Sequence, residues 1–584
     1  MPERSSESAG DAATGESSRN QRGGARGGRD RGRGGRGSKD GGRGDWRSQK
    51  GGKRSKNDDW REWKRRKVDS VEGARANPFS KEEIDAEERR PKRKVAVMIG
   101  YAGTGYKGMQ LNGEEETIER DLFRAFVAAG AISKANADDP RKSSLARCAR
   151  TDKGVHAAGN VISLKLIIED EDIVERINGA LPPQIRVWGI QRTNNSYNCY
   201  QYCDSRWYEY LMPSYCLLPP HPQSYLGHRV AEINRERGAE DEARARLADV
   251  EGFWEQVEER DIRPILDRLD PEVRAAVLAN AHSEETSAGE VKETGKEDGE
   301  EESPKKDGEV ESGDTEAGEA KPEDASKEDA AAAEKPKRRE LGPVDIALKG
   351  IKAAYVAAKR RYRVTPERLQ RLQDALRRYE GTNNFHNYTV QKSFSDPSSK
   401  RHIKSFVVNP RAVIIGDTEW ISLKVHGQSF MMHQIRKMVG LATLVARCGT
   451  AVERIDESYG RAKMAIPKMP GLGLLLERPV FENYNRRARE ALQREEIDFD
   501  RYEQRLDEFK EREIYSRIFS VEEKENSFHA FFSQIDHFRS NHFLWLSAGG
   551  MSVASIANAG NKSASDIDKA LGDEDEEDPE GGEG

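Results

Sequence analysis

Apolar residues along this chain come in short bursts with a recognisable period, separated by long polar tracts. The first burst, at 95–99, is followed by Gly100, Gly103, Gly105 and Gly108; a short apolar run ending in glycines reads as a buried strand leading into a loop. Thr117 then stands where it can cap a helix, because Ile118, Leu122, Phe123 and Phe126 recur at helical spacing up to Gly130. Residues 146–160, rich in glycine and charge, read as a loop, and 161–168 as a strand. A helix over 171–180, a break at Pro182-Pro183 and a strand over 185–190 follow. In the strand 206–211 the period of two puts Tyr208 and Tyr210 on one face. The second ordered stretch predicts a helix over 369–379, then strands at 403–408, 413–415 and 420–425. A helix over 430–447 and a closing strand over 472–476, behind Pro470-Gly471, complete it. Strands and helices alternate in both stretches, which predicts two α/β or α+β units whose sheets could join.

The polar tracts set the boundaries. Residues 1–93 carry almost no periodic apolar pattern. Arg22-Gly23-Gly24, Arg26-Gly27-Gly28 and Arg33-Gly34-Gly35-Arg36-Gly37 form an arginine-glycine tract whose regular spacing favours RNA contact over a plain linker. Two compact basic clusters follow, Lys64-Arg65-Arg66-Lys67 and Arg89-Arg90-Pro91-Lys92-Arg93-Lys94, each readable as a nuclear-import signal or a phosphate patch. Residues 94–216 make the first ordered half and 345–485 the second. Between them, 217–344 starts charged and helical, with Trp254, Ile262, Ile265 and Leu266 as its apolar share. From about 279 it turns into Glu/Lys/Ala-rich low complexity, too poor in apolar side chains to offset ordering entropy. Residues 486–560 read as a charged helical extension. Its late aromatics (Phe528, Phe531, Phe532, Phe543, Trp545) are best explained by core packing. An acidic tail, 561–584, follows, and both tails and the low-complexity stretch are expected to be disordered.

Composition agrees with ordered halves diluted by such tracts: of 584 residues 35% are hydrophobic and 34% charged, too polar for a globule throughout. The formal net charge of -6 hides a basic start and acidic later segments, so the whole-chain charge says little about the partner. Five scattered cysteines suit a reducing compartment rather than a disulfide framework. The opening residues have no apolar core, so no secretory leader is expected. No apolar run approaches the ~18 residues that span a bilayer. A soluble, intracellular protein with no membrane partner is the expectation, and the exposed cluster at 64–67 favours the nucleus.

The segment richest in chemistry is 147–157. Asp152 lies between Arg150 and Lys153 and is followed by Gly154, which permits a tight turn. On these residues alone a surface turn with incidental salt bridges is the simpler reading. A carboxylate between cations is ionised at neutral pH, and this suits a nucleophile or base better than an acid.

The thirteen-residue run ARTDKGVHAAGNV resembles the signature of the TruA-type pseudouridine synthases, and within them the eukaryotic nuclear multisite tRNA branch. GYAGTGYKGMQ, SRWYEYLMP, FMMHQIRKMVG and PGLGLLLE agree in order, so the likeness covers roughly 94–216 and 345–485. It implies an α+β pseudouridine synthase fold, two RRM-like α/β halves sharing a mixed, mostly antiparallel sheet. It implies an isomerase that turns uridine into pseudouridine at several positions of the tRNA anticodon stem region, unaided by guide RNA. Spliceosomal and messenger RNA are further implied substrates. Asp152 matches the family's essential aspartate, Tyr208 the tyrosine that stacks on the target uracil, and Arg436 the arginine that pairs with the carboxylate. Arg150 matches the arginine that holds the flipped nucleotide. His156 departs from the shorter bacterial pattern and suits the nuclear branch. The chemistry implied needs no cofactor; a zinc ion is implied for nuclear relatives, without ligands that can be pointed to here.

Other candidates have plainer explanations. His426 and His433 fall in different elements and read as satisfied or surface histidines; Cys199-x-x-x-Cys203 lacks a second pair. Met431, Met432 and Met438 read as core filling. Two rival functions are an RNA-binding protein that kept the fold without the chemistry, and the sister synthase class acting on the lower anticodon stem.

Overall fold

The computed structural model describes residues 77–113, 115–287, 342–390 and 392–554. The arginine-glycine tract, the cluster at 64–67, residues 288–341 of the insertion and the acidic tail lie outside the described residues. After a short helix at Lys81–Asp85, the main elements in chain order are β1 (Arg93–Tyr101), α1 (Ile118–Ala128), β2 (Ala146–Arg147), β3 (His156–Leu166), α2 (Ile173–Ala180), β4 (Ile185–Arg192) and β5 (Ser205–Pro213). The insertion opens with α3 (Tyr225–Glu236). Then come α4 (Pro343–Arg360), α5 (Pro366–Arg377), β6 (Gly381–Asn384), β7 (Lys400–Val408), β8 (Val413–Ile415), β9 (Thr418–Gly427), α6 (Gln434–Arg447) and β10 (Leu474–Val480). The C-terminal extension includes α7 (Ser516–Glu525) and α8 (Ser527–His537).

All ten strands belong to one sheet of order β4-β1-β3-β10-β5-β9-β7-β6, with β2 beside β3 and β8 beside β9. Among the described residues β3 with β10 is the one parallel pair, so the sheet is mixed and mostly antiparallel. The two halves meet at β10. It slots between β3 (Leu475 opposite His156) and β5 (Leu476 opposite Tyr208). A strand from the end of the second half thus lies between two strands of the first.

β1 and β3 are buried almost without interruption; continuous burial in place of alternation requires cover on both faces. The C-terminal extension supplies part of it. Trp188 of β4 meets Phe509 edge-on at 5.3 Å, and a Cβ at Gly189 would collide with the Tyr502 hydroxyl. Phe528, Phe531, Phe532, Phe543 and Trp545 are all buried, as core packing requires. Each such ring removed from water contributes about 1.5–3 kcal/mol. α6 is buried along its whole length: Tyr379 Oη donates to the Met438 carbonyl, Arg368 to that of Ala446, and Arg447 Nε to that of Leu218. The described part of the insertion is tied in by Asp249, which pairs with the fully buried Arg368 at 2.5 Å. No helix among the described residues is long and apolar enough to cross a membrane.

Local signals work where a cap is written into the chain. Thr365 accepts from Arg368 N and Pro366 takes the first position of α5, where a missing N–H goes unneeded. Four expectations need correction. β3 starts at His156, so the loop over 146–160 shrinks to 148–155. Thr117 precedes α1 but makes no side-chain cap bond; the Gly108 carbonyl accepts from Ile118 N instead. The helix expected over 430–447 begins only at Gln434. The basic cluster at 89–94 is held by its own domain: Arg90 forks onto Asp170, Arg93 reaches Glu169 at 3.1 Å, and Lys94 donates to the Ser144 carbonyl.

Candidate active site

The loop 148–155, between β2 and β3, is pinned along its length. Cys148 N donates to the Val161 carbonyl at 2.8 Å, and Asn160 Nδ2 to that of Ala149 at 3.0 Å. The Thr151 hydroxyl bonds Tyr101 Oη at 2.9 Å, its carbonyl accepts from Met109 N, and Val155 N closes a turn onto the Asp152 carbonyl. Gly154 sits at φ +75°, a conformation that a β-carbon disfavours. Cys148 and Thr151 are buried by these bonds, while the Asp152 side chain keeps 35% exposure. Arg150 is half-buried and Lys153 exposed on the same loop. His156, at the first position of β3, is fully buried; its Nδ1 accepts from Gly103 N at 3.2 Å. Burial, with the Arg517 charge adding to it, depresses its pKa to about 4, so the ring is neutral.

The second contribution comes from the start of α6. His433 is its N-cap residue and holds φ +61°, and its Nδ1 lies 3.5 Å from Asp152 Oδ2. Arg436, on the first turn, is buried; its Nε donates to the Met469 carbonyl at 2.6 Å, and its guanidinium lies against Gly471. Tyr210 Oη donates to the Pro470 carbonyl at 2.7 Å. The segment 469–471 is therefore clamped between α6 and β5.

β5 supplies the third. Tyr208 pairs with Leu476 on one side and Val425 on the other, and its ring meets Phe430 edge-on at 5.2 Å. Burial pushes its phenol well above the usual range, with the Arg206 charge opposing. Arg206 itself is buried and binds two loops at once: Nη2 donates to the Cys148 carbonyl at 2.9 Å and Nη1 to the Gln428 carbonyl at 3.1 Å. A half-exposed carboxylate, a buried guanidinium on a helix and a phenol on the central strand thus come from three elements tied to one another.

Two residues of this frame escaped the sequence reading. His433 read as an ordinary histidine, because the left-handed conformation that turns it toward Asp152 has no signal in the local pattern. Arg206 stands within SRWYEYLMP, but its role was not legible there, since it lies in carbonyls remote in sequence.

The zinc ion implied by the family likeness does not fit here. Among the described residues no three His, Cys, Asp or Glu converge on a metal-sized space. The thiols of Cys199 and Cys203 each face a backbone carbonyl at 3.3 Å, those of Ala146 and Ser205.

A family model described as tRNA pseudouridine synthase matches residues 375–482. The tRNA pseudouridine synthase 1 of Schizosaccharomyces pombe is 43% identical over 85% of this chain and 92% of its own length. That of Kluyveromyces lactis is 44% identical over 79% of this chain and 72% of its own. The tRNA pseudouridine(27/28) synthase of Saccharomyces cerevisiae is 34% identical over 75% of this chain and 98% of its own length.

Proposed function

The chain belongs to the tRNA pseudouridine synthase family, and we propose that it isomerises uridine at several positions in the anticodon stem region of tRNA, without a guide RNA. The observation that carries this is the Asp152 carboxylate, held on a pinned loop and still 35% exposed, where the start of α6 meets it. Pseudouridine formation breaks the bond from C1′ to N1 of uracil and makes one from C1′ to C5. The proton that C5 loses is balanced by one that N1 gains. No atom is added and no energy donor is needed, so positioning is the protein's main task.

Asp152, ionised, opens the exchange as nucleophile or base. Arg436 neutralises it once water is excluded, and Arg150 holds the target nucleotide outside its helix. Extruding the base costs a few kcal/mol, and stacking on the Tyr208 ring returns about 1–3 kcal/mol. The basic tract at 22–37 adds salt-dependent affinity indifferent to sequence, and recognition of several sites then rests on RNA shape. The cluster at 64–67 supports nuclear import, since that at 89–94 is occupied within its own domain. Spliceosomal and messenger RNA belong to the same proposal, because shape and backbone recognition do not restrict the chain to tRNA.

Recombinant protein incubated with tRNA transcripts, followed by carbodiimide mapping of pseudouridine, tests the reading. Wild type is expected to modify several uridines, and Asp152→Ala none while still binding tRNA. Equal modification by that variant would overturn the assignment. A second reading, action confined to the lower anticodon stem, draws on the 34% identity to the yeast tRNA pseudouridine(27/28) synthase. Product at those two positions alone would favour it.

A further inference from the structure

His433 stands in a place where its local structure has no use for it. As N-cap of α6 it makes no capping bond with its side chain, although capping is what selects residues at that position. The turn before it closes through Gln434 instead: Met431 N donates to Gln434 Oε1 at 2.9 Å, and Gln434 N to the Met431 carbonyl at 3.1 Å. The backbone of His433 adopts φ +61°, which residues with a β-carbon generally avoid. The consequence is directional. The imidazole turns inward, 8% exposed, and sets Nδ1 3.5 Å from Asp152 Oδ2. Nδ1 is buried and has no conventional hydrogen bond among the described residues. A left-handed backbone that turns a buried nitrogen without a hydrogen bond toward one carboxylate is not accounted for by packing alone.

We propose that His433 is a positioning residue for Asp152. Its Nδ1 engages Oδ2 and fixes the rotation of the carboxylate about its Cβ–Cγ bond, so that the reactive oxygen meets the target nucleoside in one orientation. His433 reacts with nothing itself. The left-handed turn at His433 is what aims the ring at the carboxylate on the pinned loop 148–155. The inference rests on Asp152 being the reactive group.

Three variants separate this from a structural role. His433→Ala removes the nitrogen. His433→Gly removes it too but relieves the backbone. His433→Asn keeps an N–H near the place of Nδ1 on a residue that tolerates the left-handed region. On tRNA transcripts under saturating conditions, the Ala and Gly variants are expected to lose about 10- to 100-fold in kcat, the scale of a misplaced catalytic group. KM should stay within about twofold, because no contact to RNA is removed. The Gly variant should melt no lower than wild type, and the Asn variant should recover most of the lost rate. Wild-type kcat in the Ala and Gly variants overturns the proposal. So does an Asn variant as slow as Ala, or a rate loss that follows Tm or KM. An inactive wild type would defeat the functional reading as well. Active wild type, inactive Asp152→Ala and normal His433→Ala would defeat this inference alone.

Discussion

Arg206 donates through Nη2 to the carbonyl of Cys148, 58 residues earlier, at 2.9 Å. That bond attaches the loop bearing Asp152 to β5, the strand bearing Tyr208. Through Nη1 the same guanidinium holds the Gln428 carbonyl, just before the turn that leads to His433. One buried cation therefore registers the loop, the strand and the helix start against each other.

Arg206→Met leaves the buried Cys148 carbonyl and the part-buried Gln428 carbonyl without this donor. A hydrogen bond from a charged group contributes ~1.5–3 kcal/mol, so urea unfolding should show a loss on that scale. Modification of tRNA should fall with it, through kcat more than through KM.

Arg436→Lys keeps the charge but loses the Nε donor to Met469 and the flat face against Gly471. Binding of tRNA, read by filter retention, should be unchanged, and kcat should drop by about two orders of magnitude. At Tyr208 the ring matters more than the hydroxyl: Tyr208→Ala should lose about 10- to 100-fold from absent stacking, and Tyr208→Phe distinctly less.

His156 ties stability to pH. Its folded pKa, about 4, lies below the ordinary 6.5, so between those values the unfolded chain binds a proton that the folded one does not. Stability therefore rises with pH across that window and is lost as pH falls from 6.5 toward 4. The slope from this group is at most about 1.4 kcal/mol per pH unit. Protonation also ends the Gly103 N–H bond to Nδ1. In urea titrations from pH 4 to 7.5, His156→Gln should show a flatter acid limb.

Arg447 on α6 and Asp536 on α8 form a buried fork, at 2.6 and 2.9 Å, with side chains 4% and 7% exposed. Asp536→Ala leaves Arg447 uncompensated near the half-buried Lys359, whose pKa desolvation already lowers to about 8. The expected loss is ~3–5 kcal/mol in thermal or urea unfolding. Arg447→Met combined with Asp536→Leu should recover most of it.

At Gly473 a Cβ would collide with the Leu211 carbonyl and crowd the Tyr210 ring. Gly473→Ala should force β10 away from β5, at ~1–3 kcal/mol, and lower activity by loosening the segment 469–471 that contacts Arg436. Melting temperature and tRNA modification, measured together, check it.

The strands around 95–99, 206–211 and 403–425 were legible because apolar spacing reports the local period of the backbone. The helix start at α6 was misplaced for the complementary reason. Phe430 and Met431 are buried as a helix would have them, yet His433 takes a left-handed conformation that no apolar spacing encodes. The ion pairs of Arg90 and Arg93 in the cluster at 89–94 were not legible because their partners Asp170 and Glu169 lie some eighty residues away.

The order of residues alone was enough to find most of the longer strands, the acid on its glycine turn and the likeness that the motifs carry, all of which depend on neighbours within a few positions. Tertiary structure decided that β10 enters between β3 and β5, that Arg206 joins two loops, and that His433 faces Asp152. Those facts depend on contacts across fifty to more than three hundred residues, as between His156 and Leu475. A periodic pattern states which face of an element seeks cover; only the closed sheet and its packed helices determine which side chain provides it.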